Sequence, residues 1–451
     1  MGITKGVLHN GAAIIVQRIV RVLEQLLLIP FFLTSWGAAY YGEWLTLTII
    51  PSVLAFSDLG FGTAVSNSFV LAYAGGDKQK AADLNKSGIY TISLSICLGI
   101  VLTIGVLFAG KHFHLFDKSL IPIGEAMTAV TLMITAKLLS FYNQLGEGYF
   151  RGARKAAFGG FMGAGHNMAN LVAGICTLHA GCGIIGYSIS QLTVSVLFTT
   201  IYFCTGRKLI DLERHKGTVR LTDLKMIASK GIGYMMMPIW QCIYFQGGTF
   251  VVRIVLGPEC VAVFNTVRTI CRSVNQLFSI ISSSISPELQ YEYGQGNQKT
   301  VHRLFRIAVT SSMLIGLLGA VFLLFFGLNI YELWTRSILT VPAGMWTIFI
   351  TGIFLNAVWN TSSVAYSVAN RPKNFAIAST ATACLSVGIS YLLSARFGLT
   401  GAALGSVAFD AAIMLYVLPD SCHLLGMHTK DIFLHITDDY SFLKKKLISR
   451  T

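Results

Sequence analysis

Six basic residues, Arg18, Arg21, Lys137, Arg253, Arg268 and Arg272, stand inside long apolar stretches of this 451-residue chain. A cation near the centre of a bilayer costs about 2.5 to 3.5 kcal/mol on insertion scales, so several in one chain imply a shared polar interior that holds something anionic. Arg18, Arg21 and Glu24 recur every three residues, which puts them on roughly one helical face with Gln17 and Gln25 beside them. Arg268 and Arg272 stand one turn apart, and Asn265, Asn275 and Gln276 extend a polar surface around them. A guanidinium offers a planar fork of donors that matches phosphate oxygens in pairs, so two such stripes facing one cleft would grip a diphosphate. Arg253, near the outer end of its stretch, is also placed to snorkel to an interface. Lys137 needs a carboxylate from another helix, since Glu147 lies ten residues further along its own.

Asp58, mid-way along the second stretch, is the best single candidate for an acid that binds a cation or takes up a proton, or else a counter-ion to Arg18 or Arg21. Glu24, Glu147 and Asp410 are further candidates for ion coupling, and His166 is either a proton site or a packing residue in a Gly-rich helix. Gly60 and Gly62, just beyond Asp58, would loosen or kink the helix or let a neighbour pack closely. No catalytic constellation accompanies these groups: no paired carboxylates in a soluble cleft, no metal-ligand spacing, no nucleophile motif and no Gly-x-x-x-x-Gly-Lys-Ser/Thr loop. The expectation is no enzyme, no metal and no cofactor beyond coupling to H+ or Na+.

The elements that must position these residues are transmembrane helices. The chain is 54% hydrophobic and 12% charged, against about 25% charged in soluble domains. About twelve apolar runs are each long enough to cross roughly 30 Å of hydrocarbon, so the expected fold class is an all-α polytopic membrane protein of two six-helix bundles. No cleavage site follows the short start Met1 to Lys5. Nine cysteines, an odd number without metal-ligand spacing, read as small buried hydrophobes.

The net charge of +14 would suggest nucleic acid in a soluble protein, but here its location decides. With the N-terminus inside, the inner segments carry the basic residues from Lys5 through Lys78, Lys80, Lys86, Arg151, Arg154, Lys155, the run from Arg207 to Lys230, Lys299, Arg303, Arg306, Arg371 and Lys373 to Lys444–Lys446. The outer loops carry only Lys111, Lys118, Arg336 and Arg396. That asymmetry predicts both termini in the cytoplasm and no nucleic-acid partner. The expected organisation is a lobe over 1–205, a cytoplasmic linker over 206–230, a second lobe over 231–420 and a cytoplasmic tail over 421–451. Lys444 to Lys446, with Phe433, Phe442 and Leu447 nearby, suit an anionic leaflet or simply enforce topology.

A faint repeat relates the halves. Gly76-Asp77-Lys78-Gln79 parallels Gly296-Asn297-Gln298-Lys299, Arg154-Lys155 parallels Pro372-Lys373, and Gly183-Ile184-Ile185-Gly186 parallels Gly401-Ala402-Ala403 with Gly405, all at an offset of about 220 residues. Transporters use such duplication to place a substrate site between two repeats.

Tyr41-Gly42-Glu43-Trp44, the segment Phe56-Ser57-Asp58-Leu59-Gly60-Phe61-Gly62-Thr63-Ala64 and the loop Gly75-Gly76-Asp77-Lys78 resemble the N-terminal signature of Wzx-type polysaccharide flippases. These share the MOP superfamily with the MurJ lipid II flippase and the MATE exporters. The resemblance implies two bundles that rock by alternating access around a central cationic cavity and carry a polyprenyl-diphosphate-linked oligosaccharide to the outer leaflet, driven by an ion gradient or membrane potential. It implies a bacterial inner-membrane protein whose partners are the lipid-linked oligosaccharide, membrane lipids and the polysaccharide polymerase machinery. Twelve spans favour the Wzx branch over MurJ, which has two more. A MATE-like cation-coupled exporter is the alternative, for which carboxylates should outnumber arginines in the cavity. A membrane glycan ligase or polymerase would need a large outer loop, and all those expected here are short.

Overall fold

The computed structural model describes residues 3–58, 60–112, 119–212, 215–369 and 371–434. Lys118 and Lys444 to Lys446 lie outside them, and the side chain of Lys111 is likewise not described. Every regular element among the described residues is helical. The chain clusters into two compact units, Met1–Pro238 and Ile239–Thr451.

The first unit holds α1 (Ile3–Leu47), α2 (Ile49–Leu54), a 3-10 turn (Ala55–Asp58), α3 (Phe61–Ala74), α4 (Lys78–His112), α5 (Ile123–Leu139), α6 (Phe141–Gly152), α7 (Ala156–His179) and α8 (Gly183–Lys208), then most of α9 (Leu221–Cys242). The second continues from the end of α9 through a π turn (Ile243–Gly247) into α10 (Gly248–Leu256), α11 (Pro258–Gly294), α12 (Gln298–Trp334), α13 (Ala343–Ser362), α14 (Val364–Val368), α15 (Pro372–Leu424) and α16 (Asp431–Leu434). Pro238 lies inside α9, where its missing N–H opens the hydrogen-bond ladder, and the wider π turn begins five residues on.

Among the described residues, eight helices are long and apolar enough to cross a membrane by length and composition. Two of these are each bent in the middle by a glycine at positive φ, Gly37 in α1 and Gly398 in α15. The helices α7 and α11 are long enough but more polar, and among the described residues each unit makes six helical passages. The second stretch, around Asp58 and Gly60, is interrupted rather than a single helix. It breaks after Leu47, tightens into the 3-10 turn and restarts beyond Gly60, whose φ is +70°.

The repeat has a geometric counterpart. Gly76 and Gly296 both adopt positive φ, at +84° and +74°, a conformation that only glycine reaches without cost. Each is succeeded by an Asx residue whose side chain accepts from a backbone N–H in the next helix's first turn, Asp77 from Lys80 at 2.9 Å and Asn297 from Thr300 at 3.4 Å. Gly37 and Gly257, at φ +73° and +90°, form a second pair at the same spacing, one that the sequence comparison missed.

Large apolar side chains such as Phe325, Leu333 and Leu415 stand more than 70% exposed, as expected for a surface facing lipid tails rather than water. The cysteines obey the same logic. Only Cys271 and Cys422 are buried in protein, while Cys97, Cys176, Cys182, Cys204 and Cys384 are exposed, which corrects the expectation of burial: an apolar bilayer leaves a small hydrophobe no need of a protein core.

Candidate functional site

Asp58 ends the 3-10 turn, is 5% exposed, and aims its carboxylate at the start of α3. Its Oδ1 accepts from the Gly62 backbone N–H at 3.1 Å and its Oδ2 from Gln144 Nε2 at 3.2 Å. Thr63 Oγ1 donates to the other end of the same amide, Gln144 Oε1, at 3.0 Å. The Asp-x-Gly-x-Gly-Thr segment is thus a helix-capping turn: a carboxylate on an orphan N–H group, a left-handed Gly60 and a threonine that fixes an amide on α6. A Cβ at Gly60 would run into the carbonyl oxygen of Gly231 and reach Tyr234 Cβ at 3.1 Å. Asp58 forms no ion pair among the described residues, so it is not the counter-ion of Arg18 or Arg21.

Gln144 lines a cavity of about 520 Å³ within the first unit, walled by α1, α6, α7 and α8. Gln17 and Arg21 enter from α1, Asn143, Gln144, Glu147 and Arg151 from α6, His166 and Asn167 from α7. The Gln17 and Arg21 pair is spaced by four, whereas Arg18 and Glu24 point elsewhere on the helix and do not line it. Glu147 pairs with Arg151 at 3.7 Å, not with Lys137, because the two share one face of α6 a turn apart. Arg151 also donates to Ser66 Oγ at 2.7 Å. His166 stacks on Phe198 at 4.2 Å and meets Asn170 through Nε2 at 3.3 Å. Lys137, in the last turn of α5, forms no ion pair among the described residues.

The second unit has a smaller cavity, about 180 Å³, walled by α9, the π turn, α11, α13 and α15. Arg272, Asn275 and Gln276 enter from α11, and Asn356, Trp359 and Asn360 from α13 at helical spacings of three and four. Trp240 stacks on Phe409 with centroids 5.4 Å apart, and Trp359 meets the same ring edge-on at 5.8 Å. Arg272 lies over the Phe245 ring at 4.3 Å. Behind this wall Asp410, 6% exposed, accepts from Asn356 Nδ2 at 2.9 Å and Trp359 Nε1 at 2.8 Å through Oδ1.

Arg268 does not line that cavity. It donates to the Phe245 carbonyl at 3.1 Å, to Thr249 Oγ1 at 2.9 Å and to Asn265 Oδ1, and it sits over Phe245 and Phe264. Its donors are spent joining α11 to the π turn and α10. Arg253 occupies the last turn of α10. Of the six intramembrane cations, then, Arg21 and Arg272 line cavities, one in each unit.

Sequence reading missed the two walls that face these arginines: Asn143, Gln144, Asn167 and Arg151 in the first unit, and Trp240, Asn356, Trp359 and Asn360 in the second. A signal was present, since carboxamides recurring at helical spacing inside apolar runs are as anomalous as cations. Among the described residues no group of three or more His, Cys, Asp and Glu could hold a metal ion.

Apolar passages in two units and a polar cavity inside each define an all-α polytopic membrane protein. The chain shares its fold with solved MATE family transporters of the MOP superfamily. A multidrug resistance MATE transporter in an inward-facing conformation superposes with a TM-score of 0.75 at 18% identity, covering 91% of this chain and 98% of that one. The outward-facing form of a multidrug resistance MATE transporter gives 0.65 at 16% identity over 94% and 96%. A MOP superfamily transporter from Pyrococcus furiosus, described as having a binding pocket of reverse polarity that suggests a different function, gives 0.63 at 16% identity over 93% and 96%. No family model matches the sequence, and no curated protein matches it.

Proposed function

We propose that this chain is a flippase of the Wzx type that moves a polyprenyl-diphosphate-linked oligosaccharide from the inner to the outer leaflet of a bacterial cytoplasmic membrane by alternating access. The observation that carries the reading is the lining of the second-unit cavity, one arginine among five carboxamides and a cluster of aromatic rings, with no carboxylate among the described residues. Carboxamides pair with sugar hydroxyls, aromatic faces stack on sugar rings, and guanidinium groups take phosphate or acidic sugars in fork geometry. The first-unit cavity repeats the theme with Arg21, three carboxamides from α6 and α7 and a Glu147–Arg151 pair that leaves the lining net positive. The lipid tail stays in the bilayer while the head group passes. Coupling to H+, Na+ or the membrane potential supplies the energy, and the polysaccharide polymerase machinery receives the product. Both termini are cytoplasmic in this reading.

One observation favours the second reading, a MATE-like exporter of cationic compounds. Each unit buries a carboxylate, Asp58 or Asp410, that is bonded to an amide of its own cavity wall, and such groups suit exchange of a cation. Arg21→Ala and Arg272→Ala, tested singly for complementation of surface polysaccharide at matched expression, separate the two. Loss in both supports the flippase, and wild-type polysaccharide together with raised sensitivity to cationic dyes sinks it.

A further inference from the structure

At one end of the first unit lies a cavity of about 640 Å³ that neither reading of the transport function uses. Its walls are α4 and α8, which do not pack closely on each other, and its floor is α6, which packs on both. Tyr149 of α6 forms that floor and donates to Asn85 at 2.5 Å. Four cations line it, Lys86 from α4, Arg207 and Lys208 from the end of α8, and Lys216 from the segment between α8 and α9. None of the four is in an ion pair among the described residues.

Three acids described at this end are engaged with other cations. Asp211 pairs with Lys78 at 2.7 Å, Asp223 with Lys80 at 2.6 Å, and Asp83 with Arg220 at 3.0 Å. Among the described residues the cavity lining therefore carries only positive charge, and His215 adds a buried Nδ1 with no hydrogen-bond partner there. Beyond the basic rim both walls carry exposed apolar side chains. Tyr90 and Leu94 come one and two turns after Lys86 along α4, and Ile201 and Leu197 precede Cys204 on α8, all more than half exposed. A basic mouth that opens sideways into an exposed apolar groove is the shape of an amphiphile whose head is anionic.

We propose that this groove binds an anionic membrane lipid, its phosphate held by Lys86, Arg207, Lys208 and His215 and its acyl chains laid between α4 and α8. The site stands apart from the transported cargo and does not depend on which transport reading holds. The lipid clasps α4 to α8 through a gap that protein packing leaves open, and ties the basic end of the bundle to an anionic leaflet.

The test is native mass spectrometry of the delipidated full-length protein in mild detergent, titrated with phosphatidylglycerol, phosphatidylcholine or inorganic phosphate. Wild type should retain phosphatidylglycerol in preference to phosphatidylcholine, and Lys86→Gln with Arg207→Gln should weaken it by roughly 30-fold, given what each basic residue contributes near an anionic headgroup. Lys299→Gln with Arg371→Gln, which removes two exposed charges from the second unit, should leave retention within about twofold. Cys204→Trp fills the groove without changing charge and should displace the lipid, which keeps the proposal falsifiable if the charge variant fails to fold. Equal retention of both lipids, equal loss in the second-unit control, retention unchanged in Cys204→Trp, or binding of inorganic phosphate but not of lipid would each overturn it.

Discussion

Asp58 and Gln144, 86 residues apart in sequence, are joined by a 3.2 Å hydrogen bond from the amide Nε2 to the carboxylate Oδ2. The carboxylate caps α3 and the amide lines a cavity, so the stability of a helix start and the shape of a binding surface depend on one contact. Replacing either partner leaves the other without that bond. A double-mutant cycle with Asp58→Asn and Gln144→Ala should return a coupling of about 0.5 to 3 kcal/mol in unfolding measurements, the range for contacting residues. Additive effects would mean that the bond is not made in the membrane.

Gly60 and Gly76 both adopt positive φ, but only Gly60 is crowded. Gly76→Ala meets nothing within 4 Å and should cost only the conformational penalty, about 1 to 2 kcal/mol. Gly60→Ala adds a collision with the Gly231 backbone, which cannot yield as a side chain tip would. Its loss of thermal stability in detergent should exceed that of Gly76→Ala severalfold, and equal losses would remove the close approach.

Arg268 and Arg272 sit one turn apart yet should fail differently. Arg268→Ala strips partners from the Phe245 carbonyl, Thr249 and Asn265, so it should lower the melting temperature and yield, by about 1.5 to 3 kcal/mol for a charged hydrogen-bonding group. Arg272→Ala removes a cavity-lining cation and should abolish transport with little change in melting. Interchanged phenotypes would reverse the two assignments.

Lys80 reaches Asp223 at 2.6 Å, and the carboxylate is 2% exposed while the amine is 38% exposed. Lys80→Met strands that carboxylate and should destabilise the seat of α9 on α4 by about 1 to 3 kcal/mol. Lys78→Met breaks a pair exposed on both sides and should cost under about 1 kcal/mol. Limited proteolysis of the segment 209–220 reads the difference directly: faster cleavage in Lys80→Met alone is the expected outcome.

Much of the candidate site was within reach of the sequence, up to a limit set by packing. The three-residue spacing in α1 grouped Arg18, Arg21 and Glu24 on one face, but it could not tell which side of the helix meets α6 and α7, and Gln17 with Arg21 line the cavity while Arg18 and Glu24 do not. Arg268 and Arg272 looked equivalent from spacing alone. What separates them is a set of acceptors on the π turn and α10, the Phe245 carbonyl and Thr249 Oγ1, that only Arg268 reaches, and no side-chain pattern announces that. Asp58 read as a charge awaiting a cation because its partners, a backbone N–H and a distant amide, leave no mark in the local sequence.

By itself the sequence determined the properties that composition and local conformation set: that the chain spans a membrane as helices, and that glycine-Asx loops recur in its two halves. These depend on the low cost of apolar side chains in lipid and on φ values that few residues can adopt. Only the tertiary structure decided which cations face a cavity, which carboxylate is a cap, and where four lysines and arginines gather around a gap between α4 and α8. Each of those depends on which helix lies beside which, and apolar helices in lipid can pack on one another in many ways that leave the sequence pattern of each unchanged.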